Sequence, residues 1–128
     1  MQLIGAKVQR KVSLCNWKFG QDYAEDIIRD LIYWASGWVD WNMVLDMMGM
    51  PNWLGTKSTQ SAPIIVNKNK NEYYKNPTFY AIGHFSKFLP PGSQRIGMSP
   101  EKIAEKGFYS IVFRRPDNGT SVILINMR

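Results

Sequence analysis

From Trp17 onward the apolar residues recur with a helical step. Phe19, Tyr23, Ile27, Leu31 and Trp34 stand at three- and four-residue intervals, and Asp22, Glu25, Asp26, Arg29 and Asp30 fill the opposite side. The pattern predicts an amphipathic helix over residues 17–36, with Gly37 as its C-terminal cap. Glu25 and Arg29 are spaced for an ion pair one turn apart. The acidic side reads as a solvated helix face rather than as catalytic carboxylates.

At Gly37 the period changes to two. In G-W-V-D-W-N, residues 37–42, Trp38, Asp40 and Asn42 share one parity, while Val39, Trp41 and Met43 share the other. An extended backbone sends the two sets to opposite faces, so residues 37–45 are expected to form a strand. Two readings of its tryptophans stand side by side. Both indoles can be core; equally, a flat aromatic face beside hydrogen-bonding groups is suited to stacking on the C–H face of a sugar ring.

A turn-rich segment, Gly49-Met50-Pro51-Asn52-Trp53, leads into a polar loop that runs to Ala62. Pro63–Val66 predicts a short strand, and Asn67–Asn76, rich in Asn and Lys, a polar connection. Asn76-Pro77 opens a second helix, with Asn at the N-cap and Pro at the first helical position. Its apolar face is Phe79, Ile82, Phe85, Phe88 and Leu89, and Pro90-Pro91-Gly92 stops it. The remainder reads as β structure. Gln94–Met98 is a strand, Ser99–Lys106 is irregular or briefly helical, and Phe108–Arg114 alternates. Asp117-Asn118-Gly119 is a hairpin turn, with Ser121–Asn126 as the returning strand. The chain then stops at Arg128, which leaves that strand without a partner on its outer edge.

Helix, strand, excursion and helix, with Trp and Asp at the end of the strand, suit the closing units of a (β/α) barrel, whose active sites gather at the C-terminal ends of the strands. A whole barrel takes about 250 residues, so 128 residues hold only a part of one: either the apparent barrel units are something else, or the chain is a fragment.

Composition narrows the function classes. The chain is 45% hydrophobic and 13% aromatic, and its charge of +6 is spread along the sequence without a dense basic run. That describes a solvated surface with a mild preference for anions; no nucleic-acid partner is expected. Cys15 is the single cysteine and His84 the single histidine, so neither an intrachain disulfide nor a protein-only zinc site can be assembled. No N-terminal segment has the apolar core of a signal peptide, and no apolar run reaches the length of a membrane span. Asn118-Gly119-Thr120 is an N-glycosylation sequon; Asn76-Pro77-Thr78 is excluded by its proline.

Several stretches together resemble one family. D-Y-A-E-D-I-I-R-D-L (22–31), G-W-V-D-W-N (37–42), P-N-W (51–53), S-A-P-I-I-V (61–66) and F-Y-A-I-G-H-F-S-K-F-L-P-P-G-S-Q-R-I-G (79–97) are similar, in order, to the lysosomal acid β-glucosidases. These form the glucosylceramidase group of glycoside hydrolase family 30. The resemblance runs from about Val12 to the end of the chain.

The resemblance implies an α/β plus β architecture: a C-terminal fragment of a (β/α)8 TIM barrel containing the last two helices and last strand, part of an attached β-sandwich, and a small antiparallel β subdomain. Residues 1–42 and 77–93 would belong to the barrel, 43–76 to the small subdomain and 94–128 to the truncated sandwich. It implies hydrolysis of the β-glucosidic bond of glucosylceramide with retention, a reaction that uses two carboxyl groups about 5–5.5 Å apart. Both family glutamates would fall upstream of Met1, and Glu25, Glu72, Glu101 and Glu105 match neither.

Of the site residues, Trp41 matches the tryptophan that lines the family's glucose site. Trp38 and Asp40 are its neighbours, with a supporting or a structural role. The family also places an Asn and an aromatic at the entrance after P-N-W; the longer stretch Leu54–Gln60 contains neither. No cofactor and no metal are implied. The implied partners are the glycolipid substrate, a membrane surface and a saposin-type activator, in a lysosomal setting.

The chain is therefore expected to be an incomplete piece of a glucosylceramidase, inert and aggregated or molten alone. The alternatives are a non-catalytic sugar- or glycolipid-binding module, or an inactive truncated gene product.

Overall fold

The computed structural model describes residues 13–51, 60–97 and 107–127, together with the backbone of 4–7. Several expectations lie outside these residues: the turn at Asn52-Trp53, the loop 54–59, Met98 and the segment 99–106.

The first unit is strand, helix, strand. Strand β1 (Ile4–Lys7) pairs in parallel with β2 (Gly37–Asp40), and helix α1 (Trp17–Ile32) connects them. The sequence predicts one strand within residues 1–42; the structure contains two. The Asn16 side chain accepts from the Lys18 N–H and starts α1.

The end of α1 corrects the expectation for Gly37. The helix stops at Ile32, and Trp34 takes the left-handed conformation at φ 68°. The N–H of Ala35 reaches Asp30 O at 2.9 Å and that of Trp34 reaches Leu31 O at 3.2 Å, the paired bonds of a Schellman terminus. Gly37 instead begins β2. Trp34 also leaves the apolar stripe and is 73% exposed. Its ring lies under the Arg95 guanidinium at 4.3 Å, and Arg95 Nη1 donates to Ile32 O at 2.7 Å. A side chain 63 residues away thus satisfies a terminal carbonyl and holds the indole that closes the helix.

The expected strand 37–45 is two strands in two sheets. After β2 the chain bends, and β3 (Val44–Asp46) pairs with β4 (Ile64–Asn67), which pairs with β5 (Glu72–Lys75). Since β3 and β4 run parallel and only β4 and β5 antiparallel, the small sheet is mixed rather than antiparallel. Strand β5 occupies part of the expected polar connection. Its Glu72, Tyr73 and Lys75 are exposed, and Tyr74 alone packs toward Leu45, Ala62 and Ile65. A charged edge strand leaves little hydrophobic signal.

Helix α2 (Pro77–Ser86) begins at Asn76 as expected, but the Asn76 side chain does not cap it. Only 1% exposed, that amide donates to Ala62 O at 2.8 Å and Ser61 Oγ at 3.4 Å, and accepts from Cys15 N at 3.3 Å. It ties together the approach to α1, the approach to β4 and the start of α2. The helices come close at Gly20, where a Cβ would lie 2.8 Å from the Pro77 Cβ.

Strands β6 (Gln94–Ile96), β7 (Phe108–Arg114) and β8 (Thr120–Asn126) form an antiparallel meander. The Asp117-Asn118-Gly119 turn is present. Asn118 has φ 63°, Asp117 Oδ1 accepts from Gly119 N at 2.9 Å, and Arg115 holds the same carboxylate. One core joins this sheet to the helices: Ile27, Ile28 and Ile32 of α1, Phe85 of α2, and Ile111 and Phe113 of β7. Among the described residues no helix is long and apolar enough to cross a membrane.

Candidate functional site

Strand β2 has one closed face and one open face. On the closed face the Trp38 ring meets the Tyr23 ring edge-on at 5.4 Å, and its Nε1 donates to Asp26 Oδ2 at 3.1 Å. Tyr23 OH donates to Asp40 Oδ1 at 3.1 Å. Trp38 and Asp40 therefore lie against α1, as their shared parity requires. The open face carries Val39 and, just past the strand, Trp41, which is 58% exposed. Parity had separated these sets, and the structure decides which is which: the indole presented outward is that of Trp41.

The backbone at Trp41 has a specific support. The last described pair of the β1–β2 register is Lys7 and Asp40, and the Trp41 N–H follows it. It donates to Asp40 Oδ1 at 2.8 Å, so one carboxylate oxygen receives both the helix phenol and the strand-end amide. Burial pushes the Asp40 carboxyl above its ordinary pKa, and the bonds from Trp41 N and Tyr23 OH work against that rise. The Tyr23 phenol is held well above its usual value by burial and then by the Asp40 charge.

The small sheet enters between β2 and α2, on the side where β2 ends. In a (β/α) unit that is the side on which sites are built. In the chain after Trp41, Met43, Val44, Met47 and Met48 are all exposed. Asp46 Oδ1 shapes this loop by accepting from Met48 N at 2.7 Å and Met50 N at 2.9 Å.

The described glutamates have other tasks. Glu25 Oε1 accepts from Tyr109 OH at 2.6 Å and lies 3.7 Å from Arg29, which confirms the expected ion pair. Glu72 accepts from Tyr74 OH. Asp26 and Glu25 thus anchor an indole and a phenol, a correction to the reading of this face as solvated. Glu101 and Glu105 lie outside the described residues. Asn118 sits exposed at the tip of the β7–β8 turn. Among the described residues no group of His, Cys, Asp and Glu could hold a metal ion. A cleft of about 660 Å³ lies elsewhere, between α1, α2 and β8, and does not include Trp41.

The residue that sequence reasoning missed is Tyr23. It was assigned to the apolar stripe, yet a buried phenol needs a hydrogen-bond partner, and Asp40 has the parity to supply one.

A model of the glycosyl hydrolase family 30 TIM-barrel domain matches residues 3–89. The chain belongs to glycosyl hydrolase family 30. Mouse lysosomal acid glucosylceramidase is 38% identical over 124 residues, which is 96% of this chain and 23% of that protein. Putative glucosylceramidase 3 of Caenorhabditis elegans is 52% identical over 81 residues, 63% of this chain and 15% of that protein. The resemblance to the glucosylceramidase group therefore holds. The chain spans less than a quarter of the length of these curated relatives. The fold agrees with a solved structure: the crystal structure of SrfJ from Salmonella typhimurium superposes with a TM-score of 0.85 at 24% identity, over 99% of this chain and 28% of that one.

Proposed function

We propose that this stretch forms one wall of the glucose-binding cleft of a retaining glucosylceramidase, with Trp41 as the surface on which the glucose ring stacks. The observation that carries this reading is the exposed Trp41 ring at the C-terminal end of β2, on the face turned away from α1. The reaction is cleavage of the β-glucosidic bond of glucosylceramide to glucose and ceramide. One carboxylate attacks the anomeric carbon, while the other protonates the leaving oxygen and then activates water.

Glu25 and Glu72 are engaged with Tyr109 and Tyr74, so we assign the reacting pair to family glutamates that no residue of this sequence matches. Trp38 and Asp40 support the wall from behind. We read 43–76 as the small subdomain beside the cleft and the β6–β8 sheet as part of the family's β-sandwich. The substrate is a bilayer lipid, so the enzyme meets it at a membrane surface, in a lysosomal setting and with a saposin-type activator. A net charge of +6 favours an anionic surface.

The test is titration of a glucose-mimicking iminosugar into the complete polypeptide that carries these residues. Trp41→Ala should weaken binding about tenfold or more, the equivalent of ~1.4 kcal/mol; unchanged affinity would refute the assignment. Turnover of a fluorogenic glucoside by the 128-residue chain alone, lost when one of its own carboxylates is neutralised, would refute the assignment of the acid pair.

A further inference from the structure

The Tyr23–Asp40 pair lies behind the strand, out of reach of a ligand on the open face, yet one of its atoms touches the backbone of Trp41. Three facts define the arrangement. Tyr23 is 2% exposed and fixed by the edge-on Trp38 ring, so its OH has little freedom. Asp40 Oδ1 receives that OH at 3.1 Å and the Trp41 N–H at 2.8 Å. The Trp41 N–H stands one residue past the last described pair of the β1–β2 register, Lys7 and Asp40. A charge-assisted bond thus holds the backbone amide of Trp41 where the chain leaves β2.

An indole useful for stacking must be held in one orientation before the ligand arrives, since each freely rotating group that is ordered on binding subtracts from affinity. Held at its amide nitrogen, Trp41 has its φ restricted, and with it the direction of the Cα–Cβ bond. The side chain itself is exposed and gains little fixation from packing. Asp40 Oδ2 is buried and has no hydrogen-bond partner among the described residues, so the described work of this carboxylate falls on Oδ1.

We propose that Tyr23 and Asp40 are positioning residues for glucose recognition: a helix phenol and a strand carboxylate that together fix the backbone of Trp41 and so aim its ring. This rests on Trp41 being the sugar platform. It assigns to Tyr23 a role in specificity that its place in the apolar stripe conceals.

The experiment uses the complete polypeptide and four variants: Trp41→Ala, Tyr23→Phe, Asp40→Asn and, as a control, Tyr109→Phe. The control removes a phenol–carboxylate bond of the same kind from the same helix, the one between Tyr109 and Glu25 at 2.6 Å. Each is measured for iminosugar affinity, for KM and kcat on a fluorogenic glucoside, and for Tm. Tyr23→Phe keeps the ring and its packing, and Asp40→Asn keeps an oxygen able to accept both bonds, so both variants should fold.

The expected result is a rise in KM and a parallel loss of iminosugar affinity of about three- to tenfold in Tyr23→Phe, from loss of a hydrogen bond to a charged group. kcat should change less than KM, and Asp40→Asn should lie between Tyr23→Phe and the parent protein. Tyr109→Phe should lower Tm alone. If Trp41→Ala weakens binding while Tyr23→Phe and Asp40→Asn leave KM and affinity unchanged, the positioning role is refuted and the sugar platform survives. If Trp41→Ala itself is without effect, the platform fails and this inference fails with it.

Discussion

Two cores hold the described part of this molecule, and they are built differently. The larger draws Ile27, Ile28 and Ile32 from one helix, Phe85 from the other, and Ile111 and Phe113 from the central strand of the C-terminal sheet. The smaller has Leu45, Ala62 and Ile65 buried at its centre, with Leu14 and Tyr74 packed against it. The first needs no polar group at its centre, because three elements each contribute an apolar face. The second buries too little apolar surface to fix a mixed three-stranded sheet by itself. It rests on the buried Asn76 amide, which bonds to Ala62, Ser61 and Cys15 across three segments. Where the apolar surface is small, directional bonds set the geometry, and here the sheet so held is the one beside Trp41.

The comparison can be broken at either core in the complete polypeptide. Phe85→Ala should have the largest effect, about 3–5 kcal/mol of stability, because it opens a cavity shared by both helices and β7. Denaturant unfolding measures it, and a loss below ~1 kcal/mol would mean that this core is not the dominant one. Asn76→Ala should cost about 2–3 kcal/mol by stranding buried polar groups. Hydrogen exchange should locate that damage in β4 and β5; uniform loss of protection would show the two cores to be one cooperative unit.

Gly20→Ala sharpens the boundary between α1 and α2. The added Cβ would sit 2.8 Å from that of Pro77, so the helices must separate, at a net cost of about 1 kcal/mol after the gain in helix propensity. An unchanged Tm would mean that this contact yields freely.

The pH dependence of Asp40 probes the polar side of the comparison. Its carboxyl is raised by burial, so the folded state binds a proton more readily than the unfolded chain does. Stability from this group is therefore greatest below the raised pKa and falls as pH rises through it. Asp40→Asn lacks this titration. The stability difference between the parent protein and Asp40→Asn should shift in favour of the variant from pH 4 to pH 7, as read by thermal melts; a gap independent of pH would contradict the shift. The smallest effect is expected at Asn118. In a secretory host this exposed turn residue should carry an N-glycan, seen as a mass shift removed by glycosidase and absent in Asn118→Gln, with Tm nearly unchanged.

Much of this was legible from residue pattern. The stripe Tyr23, Ile27 and Leu31 gave α1; Asn76-Pro77 marked the start of α2; and alternation with Asp-Asn-Gly gave β7, its turn and β8 within one residue. The two faces of β2 followed from parity alone, and with them the distinction between Trp41 and the pair Trp38 and Asp40.

What escaped depends on partners distant in sequence. That the left-handed C′ position is filled by a tryptophan rather than a glycine is comprehensible once Arg95 is seen on its ring. The break after Asp40 reflects a change of sheet, from pairing with β1 to pairing with β4, which no local periodicity records. Strand β5 is polar on an edge, so its backbone pairing rather than its side chains defines it. Tyr23 was counted among apolar residues, although its hydroxyl distinguishes it from the isoleucines around it.

The Trp34–Arg95 clasp has a consequence for the birth of the molecule. A nascent chain emerges from its N-terminus, so α1 leaves the ribosome with the Ile32 carbonyl and the Trp34 ring uncovered and waits some sixty residues for the guanidinium that engages both. During that interval only the two local backbone bonds, Ala35 to Asp30 and Trp34 to Leu31, hold the turn at Trp34, and the terminus is open to fraying. The latch closes only when the first strand of the C-terminal sheet arrives, which makes completion of an early helix a late event in synthesis.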